Sequence, residues 1–239
     1  MARGTKAKVE EEAPRVPFRG FGSGAGAFFD ALAADNSRDF FTAHKETFET
    51  QVREPMGALV EALAFAFAAH DIPLTGTAKG SVFRLNRDVR FSKDKSPYKT
   101  HCGAVLTRDG TKKSQGLFYI HLGGTGGSFC AMGFYGPEPD DLHALRKRLV
   151  AKPEVWQKAA RGLTKAGLEL MREDALVRMP KGFEQHAGSD VADLLRLRHL
   201  VVRKPIPDAR LGSPDLVRDL LDTARAGLPL LEFGWAAVG

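Results

Sequence analysis

The chain has 239 residues, with 35 Lys and Arg against 29 Asp and Glu, for a formal charge of +6 at pH 7. Hydrophobic residues at 43% and charged residues at 27% are ordinary globular values, which excludes a collagen-like, disulfide-scaffold or wholly disordered chain. The length is ample for a hydrophobic core, and no apolar run approaches the roughly 20 residues that cross a bilayer.

Residues 1–17 mix Lys, Arg, Glu10, Glu11, Glu12 and two Pro, and read as a disordered leader. They lack the apolar core of a signal peptide. Only Cys102 and Cys130 are present, in no CxxC pair and with no His spacing that makes a zinc site. The reading is a reduced, cytoplasmic protein with no metal and no cofactor.

Ser23 or a neighbouring glycine opens a short helix carrying Phe28, Phe29 and Leu32. Asn36 stands as the cap of a second helix, with Asp39 three residues on. Phe40, His44, Phe48 and Val52 follow at spacing four and share one face. Pro55 suits the first turn of a third helix, whose stripe is Met56, Leu59, Val60, Leu63 and Phe67. This helix ends near 70–73.

After Gly80 the period changes. Residues 81–85 look extended, and the polar window to Lys99 has too little apolar pattern for a helix. Segments 101–107, 116–122 and 128–134 read as strands, joined by turn chemistry at 108–110 and 123–127. The links are short, so neighbouring strands are antiparallel. Pro139 opens a helix with Leu142, Leu145 and Leu149, and Pro153 opens another with Val155, Trp156, Ala159 and Leu163. Residues 167–190 show no clear period. Segment 197–202 reads as a late strand returning to the sheet. Ser213 and Pro214 open a helix to about Ala226, after which a tail or short helix carries Phe233 and Trp235. N-terminal helices, a central antiparallel sheet and C-terminal helices make one α+β domain over 18–239.

The charge is concentrated. Residues 79–101 hold seven Lys or Arg and two Asp, a net +5, while residues 20–78 carry a net −5. One hot window points to a local anion site rather than to a general polyanion binder. Within it the chain reads Arg84-x-x-Arg87-Asp88-x-Arg90-Phe91-x-x-Asp94-Lys95-x-Pro97-Tyr98-Lys99. Guanidinium groups offer rigid paired donors that match phosphate or carboxylate oxygens. In a ligand reading, Arg84, Arg87, Arg90, Lys95 and Lys99 surround an anion. Asp88 and Asp94 orient those cations, or Asp88 takes part in proton transfer. Tyr98 donates its hydroxyl or serves as a proton donor. In a structural reading, Arg and Asp pair with one another and pin an irregular loop to the sheet.

The same motif resembles the signature of the conserved hypothetical, mostly bacterial family catalogued as domain of unknown function 2461. The matching residues are Arg84, Arg87, Asp88, Arg90, Phe91, Asp94, Lys95 and Tyr98. The front end is similar too, in the segment Asn36-Ser37-Arg38-Asp39-Phe40-Phe41 and in the helix start at Glu54-Pro55. The resemblance covers about residues 18–235. It carries no established activity with it.

Other signals are weaker. Gly22-x-Gly24-x-x-Ala27 formally fits a dinucleotide-binding turn, but no strand precedes it and no βαβ unit follows. His121 follows Tyr119 at spacing two on one strand, so both point the same way. If that face meets the basic window, His121 is an acid–base candidate. Otherwise it is a satisfied core histidine. His101 stands beside Cys102 on opposite strand faces, which argues against shared metal ligation, and His199 has the same ambiguity as His121.

Three functions compete. The first is an enzyme or binding domain for a small phosphate- or carboxylate-bearing ligand at the 84–99 loop. The second is a nucleic-acid-binding module, motivated by a pI near 9.4. The third is an interaction domain whose Arg/Asp motif is a salt-bridge network. Convergence of Arg84, Arg87, Arg90 and Tyr98 on an open cleft favours the first. Donors that all end on protein carboxylates and carbonyls favour the third.

Overall fold

The computed structural model describes residues 17–90 and 92–239. The expected leader, apart from Pro17, lies outside the described residues, and so does Phe91 of the motif.

Helix α1 (Ala25–Ala34) buries Ala25, Phe28, Phe29 and Leu32 along one stripe. Helix α2 (Arg38–Ala43) is capped by Ser37, whose Oγ accepts from the Phe40 amide at 3.1 Å. This corrects the expected Asn36 cap. The serine hydroxyl reaches the orphan amide of the first turn, and the Asn36 side chain is spent elsewhere. The spacing-four face is interrupted as well. Helix α2 stops before His44, α3 (Lys45–Phe48) is a single turn, and a π turn at Glu49–Arg53 leads into α4 (Glu54–Ala69). The wider π turn rotates the chain. Phe48 and Val52 are buried, whereas Phe40 is half-buried and stacks on exposed His44. Pro55 sits in the first turn of α4, and Met56, Leu59, Val60, Leu63 and Phe67 are buried as the pattern implies.

Helix α5 (Ala78–Ser81) is one turn capped by Thr77, so the extended run begins one residue later than expected. Residues 82–86 then line the outer edge of the sheet. Strands β1 (His101–Thr107), β2 (Leu117–Gly123), β3 (Ser128–Phe134), β4 (Glu169–Leu170) and β5 (Leu200–Ile206) form an antiparallel sheet in the order β1-β2-β3-β5-β4. Strand β2 is shifted by one from the expected 116–122. Gly116 has φ +76° and belongs to the turn. Strand β5 starts later and runs further than 197–202, because it pairs with β3 along its whole length.

Helices α6 (Pro139–Ala151) and α7 (Pro153–Lys165) each carry proline in the first turn. Two short helices follow, α8 (Ala192–Leu195) and α9 (Asp208–Leu211). Helix α10 (Leu216–Val238) is continuous and replaces the expected break near Ala226, with Pro229 inside it. Packing explains the continuity. Gly227 and Gly234, two turns apart, meet β3 so closely that a Cβ on either would collide with Met132 or with the Phe134 ring. Leu230, Leu231 and Phe233 are buried on the same helix. This burial offsets the helix bond that proline removes.

The core lies between the helices and the even-numbered face of the sheet. Cys102, Ala104, Leu106, Phe118, Ile120, Leu122, Cys130, Met132 and Phe134 are buried there. The odd-numbered face is different. Along β2 the side chains alternate strictly, with Phe118 and Ile120 buried and Tyr119 and His121 half-buried. The result is one α+β domain with N-terminal helices, a central antiparallel sheet and C-terminal helices.

Candidate functional site

The motif forms a hairpin on the edge of β1. Val82 bridges Ala104 and Asn86 bridges Tyr98. The Phe83 amide donates to the Gly103 carbonyl, the Arg87 amide to Pro97 and the Lys99 amide to Leu85, each at 2.9 Å. The hairpin is anchored from a distance. The Asn36 side chain donates Nδ2 to the Tyr98 carbonyl at 3.2 Å, and its Oδ1 accepts from the Tyr98 amide at 3.0 Å. The Tyr98 ring is buried against Phe41 of α2, with ring centroids 4.5 Å apart. Tyr98 therefore faces the helices.

Much of the loop's charge is spent within the loop. Arg87 pairs with Asp94. Arg90 donates Nε and Nη2 to the two oxygens of Asp88 at 3.0 and 2.7 Å. The Lys95 ammonium donates to the Val89 carbonyl at 2.9 Å. Asp94 also accepts from the Ser96 amide and hydroxyl, at 2.9 and 2.6 Å. Ser96, more than Arg87, pulls the Asp94 carboxyl down to about 2. Asp88 is lowered chiefly by its hydrogen bonds from Arg90.

Arg84 and Lys99 are another matter, since neither makes an ion pair among the described residues. Lys99 stands just before β1, and its ammonium lies over the Phe83 ring, 5.5 Å from the centroid. The Lys112 ammonium lies over the same ring at 5.1 Å and donates to the Val82 carbonyl at 2.6 Å. Burial lowers the pKa of Lys99, and the positive charges of Arg84 and Arg87 lower it further. Burial and then Lys99 lower that of Lys112. Neither lysine has a carboxylate partner among the described residues, whereas Arg84 lies within electrostatic reach of Asp88.

This corner borders a row of rings on the odd-numbered face. His101 stacks on His121 (4.4 Å) and His121 on Phe129 (4.5 Å), with Arg203 over the far side of Phe129 (5.8 Å). The register explains the row: Gly103 pairs with His121, and His121 with Phe129. Tyr119 leans across Gly103, where a Cβ would stand 2.6 Å from its hydroxyl oxygen. That hydroxyl lies 3.2 Å from His121 Nδ1. Burial raises the Tyr119 hydroxyl to about 12, so it keeps its proton at neutral pH. Burial, with His101 adding to it, lowers His121 to about 4. His101 is lowered by burial and then by Lys99 and Arg87. Both imidazoles are neutral at pH 7, beside a cationic corner.

The structure thus divides the sequence candidates. Lys99, over the Phe83 ring, and His121 lie toward the odd-numbered face, and Arg84 is within electrostatic reach of Lys99. Asp88, Arg90, Asp94 and Lys95 are engaged inside the loop, and Tyr98 lies on the helix side. Arg87 belongs to both groups, paired with Asp94 yet within electrostatic reach of Lys99 and His101. Sequence reasoning passed over Phe83 and Lys112 and set His101 aside. Their shared face follows from strand register, for which one sequence holds no direct signal. Strand alternation did place Tyr119 with His121.

The other sequence signals have plainer settings. His199 Nδ1 accepts from the Gly136 amide at 2.9 Å, and the ring stacks on Tyr135. The glycine-rich run before α1 lines a cavity of about 750 Å³ with Asp30, Thr125 and Asp208, and its neighbour across the cavity is the β2–β3 turn.

The comparison with curated proteins and the comparison with solved structures each return no match. A family model described as "Conserved hypothetical protein" matches residues 25–233. That span takes in the loop, the ring row, helices α1 to α9 and most of α10, and the chain belongs to this conserved hypothetical family, domain of unknown function 2461.

Proposed function

We propose that this protein binds a small phosphate- or carboxylate-bearing ligand at the corner formed by Arg84, Lys99 and Lys112, with His101, His121 and Tyr119 beside it. One observation carries the reading: two lysine ammoniums share the Phe83 ring, and neither has a carboxylate partner among the described residues. Repulsion between half-buried Lys99 and its cationic neighbours costs free energy that a bound anion relieves. The neighbouring phenol and neutral imidazole supply a proton donor and acceptor for chemistry on that ligand. The two free, buried cysteines fit a reducing cytoplasm.

The ring geometry favours a small ligand over a nucleic-acid strand. Base stacking needs open ring faces. Here His121 is stacked on both sides, by His101 and Phe129, and Arg203 lies over Phe129.

The test is titration of inorganic phosphate and of sulfate into the full chain, followed by calorimetry and melting temperature. Lys99→Ala and Lys112→Ala each remove one charge-assisted contact, worth about 1.5–3 kcal/mol, so each weakens binding by about tenfold or more. Variants that stay folded and bind both anions as tightly as the wild type refute the site.

A further inference from the structure

We propose that helices α6 and α7 form a second basic surface, separate from the corner beside the 84–99 loop, and that this surface binds a nucleic-acid duplex by its phosphate backbone.

Residues 146–165 hold seven Lys or Arg and one Glu, a net +6. Longer counting segments hide this excess, because Asp140 and Asp141 in the first turn of α6 offset part of it. Two of the seven cations are used inside the fold. Arg146 donates to the Leu195 and Leu197 carbonyls at 2.8 and 3.0 Å. Arg148 lies over the Phe233 ring, 5.1 Å from its centroid. The others are Lys147, Lys152, Lys158, Arg161 and Lys165. All are exposed, and none of their side chains makes an ion pair or hydrogen bond among the described residues.

Helix α7 sets three of them in a row. Its buried stripe is Trp156, Ala159 and Leu163, with the Trp156 ring 5.6 Å from Phe233 of α10. Lys158, Arg161 and Lys165, at spacings of three and four, share the opposite face. Lys152 stands at the single-residue join between α6 and α7, and Lys147 precedes it on α6. The helix dipole favours cations in a last turn. That accounts for Lys165, but not for Lys158 and Arg161 in the middle of α7.

Because α7 is packed along its buried stripe, the row cannot spread apart, and a polyanion relieves the repulsion within it. The row is about 10 Å long at 1.5 Å per residue. Duplex DNA presents about one phosphate per 1.7 Å of axis, so all three side chains can meet phosphates together. The rest of the face narrows the choice of polyanion. No exposed residue of α7 is aromatic, so the bases of a single strand have nothing there to stack on. Val155 is the one exposed large hydrophobic residue of α7, whereas a helix lying in a membrane surface needs a continuous apolar face.

The test is fluorescence anisotropy of labelled duplexes of about 20 base pairs, one of DNA and one of RNA, titrated with the full chain from about 50 to 300 mM KCl. Log affinity should fall against log salt with a slope of about −2.7 or steeper, at −0.9 per phosphate neutralised. The triple variant Lys158→Gln, Arg161→Gln, Lys165→Gln should lose about 2.7 of that slope, and about a hundredfold or more in affinity at 0.1 M salt. Glutamine is a good helix former, so α7 should persist. Lys147→Gln with Lys152→Gln covers the case in which α7 is disturbed, and should cut the slope by about 1.8. A control triple, Arg38→Gln, Lys45→Gln, Lys79→Gln, removes the same charge from exposed positions on the N-terminal helices and should bind within about threefold of the wild type. Equal weakening of the α7 triple and the control triple overturns the surface, because net charge alone then attracts the duplex. Failure of the wild type to bind either duplex at the lowest salt overturns it as well. Poly-glutamate that binds more tightly than both duplexes overturns the nucleic-acid assignment in favour of an acidic protein segment. Binding of either duplex, with the loss confined to the α6 and α7 variants, supports the proposal, and the tighter duplex identifies the source of the phosphates.

Discussion

Asn36→Ala isolates what holds the basic hairpin in place. The Asn36 amide makes two hydrogen bonds to the backbone of one residue, Tyr98, sixty-two positions away. Alanine leaves both a backbone N–H and a backbone C=O unpaired in a partly buried setting. Each such loss costs about 1–3 kcal/mol, and partial access to water favours the low end, so the sum is about 2–3 kcal/mol. For a chain of this length, 1 kcal/mol moves the melting temperature by about 2–4 °C, so the expected drop is about 4–12 °C. The bonds of Arg87 to Pro97 and of Lys99 to Leu85 survive, so the hairpin stays closed while its tie to α2 is lost. Hydrogen exchange should therefore quicken at the Tyr98 amide before it does at Lys99. Ser37→Ala separates this role from helix capping: it loses the α2 cap, costs about 1 kcal/mol, and leaves Tyr98 exchange unchanged. An Asn36→Ala protein that melts within about 1 °C of the wild type refutes the clamp.

Two further outcomes follow from the same geometry. Asp94 has a folded-state pKa of about 2, below its ordinary 3.8, so its contribution to loop order is present above about pH 4 and is lost as pH falls through 2. Ser96 amide exchange should track that loss with a midpoint near pH 2, and a flat profile, or the same midpoint in Asp94→Asn, refutes it. Cys102 and Cys130 are buried, and burial pushes both thiols up to about 12, so neither should react with a disulfide reagent at pH 8 until denaturant is added. Labelling of either within minutes in the native protein contradicts this.

Periodicity made most of the fold legible. The α4 stripe, the β1 and β3 bounds and the prolines of α6 and α7 were all visible, because each rests on local chemistry: one face of 3.6 residues, one face of two, and a proline in a first turn. What escaped depends on distant partners. Pro229 reads as a break until Gly227 and Gly234 are seen against Met132 and Phe134. Asn36 reads as a cap until Tyr98 is found beside it. Arg203 and Lys204 mask the second half of β5 until β3 supplies the ladder. The candidate site follows the same rule. The charge window and the Tyr119–His121 alternation were readable, whereas the meeting of His101, Phe83 and Lys112 depends on register and on a hairpin folded back along β1.

The motif's two physical readings turn out to depend on each other. Arg84, Arg87 and Lys112 each repel Lys99, and the partial burial of Lys99 strengthens the repulsion by lowering the effective dielectric. On a flexible loop these side chains would spread apart, and the proposed anion site would be lost. They are held together by the less conspicuous half of the motif: Asp94 on Arg87 and Ser96, Asp88 on Arg90, Lys95 on Val89, and Asn36 on Tyr98. The loop's own ion pairs are exposed and contribute little to global stability. Their effect is to fix the loop's shape and thereby keep the unmatched cations close. On this argument, Asp94→Asn weakens anion binding without touching the anion, and Arg84→Ala weakens it without loosening the loop. A salt-bridge network with no ligand to serve would show neither effect.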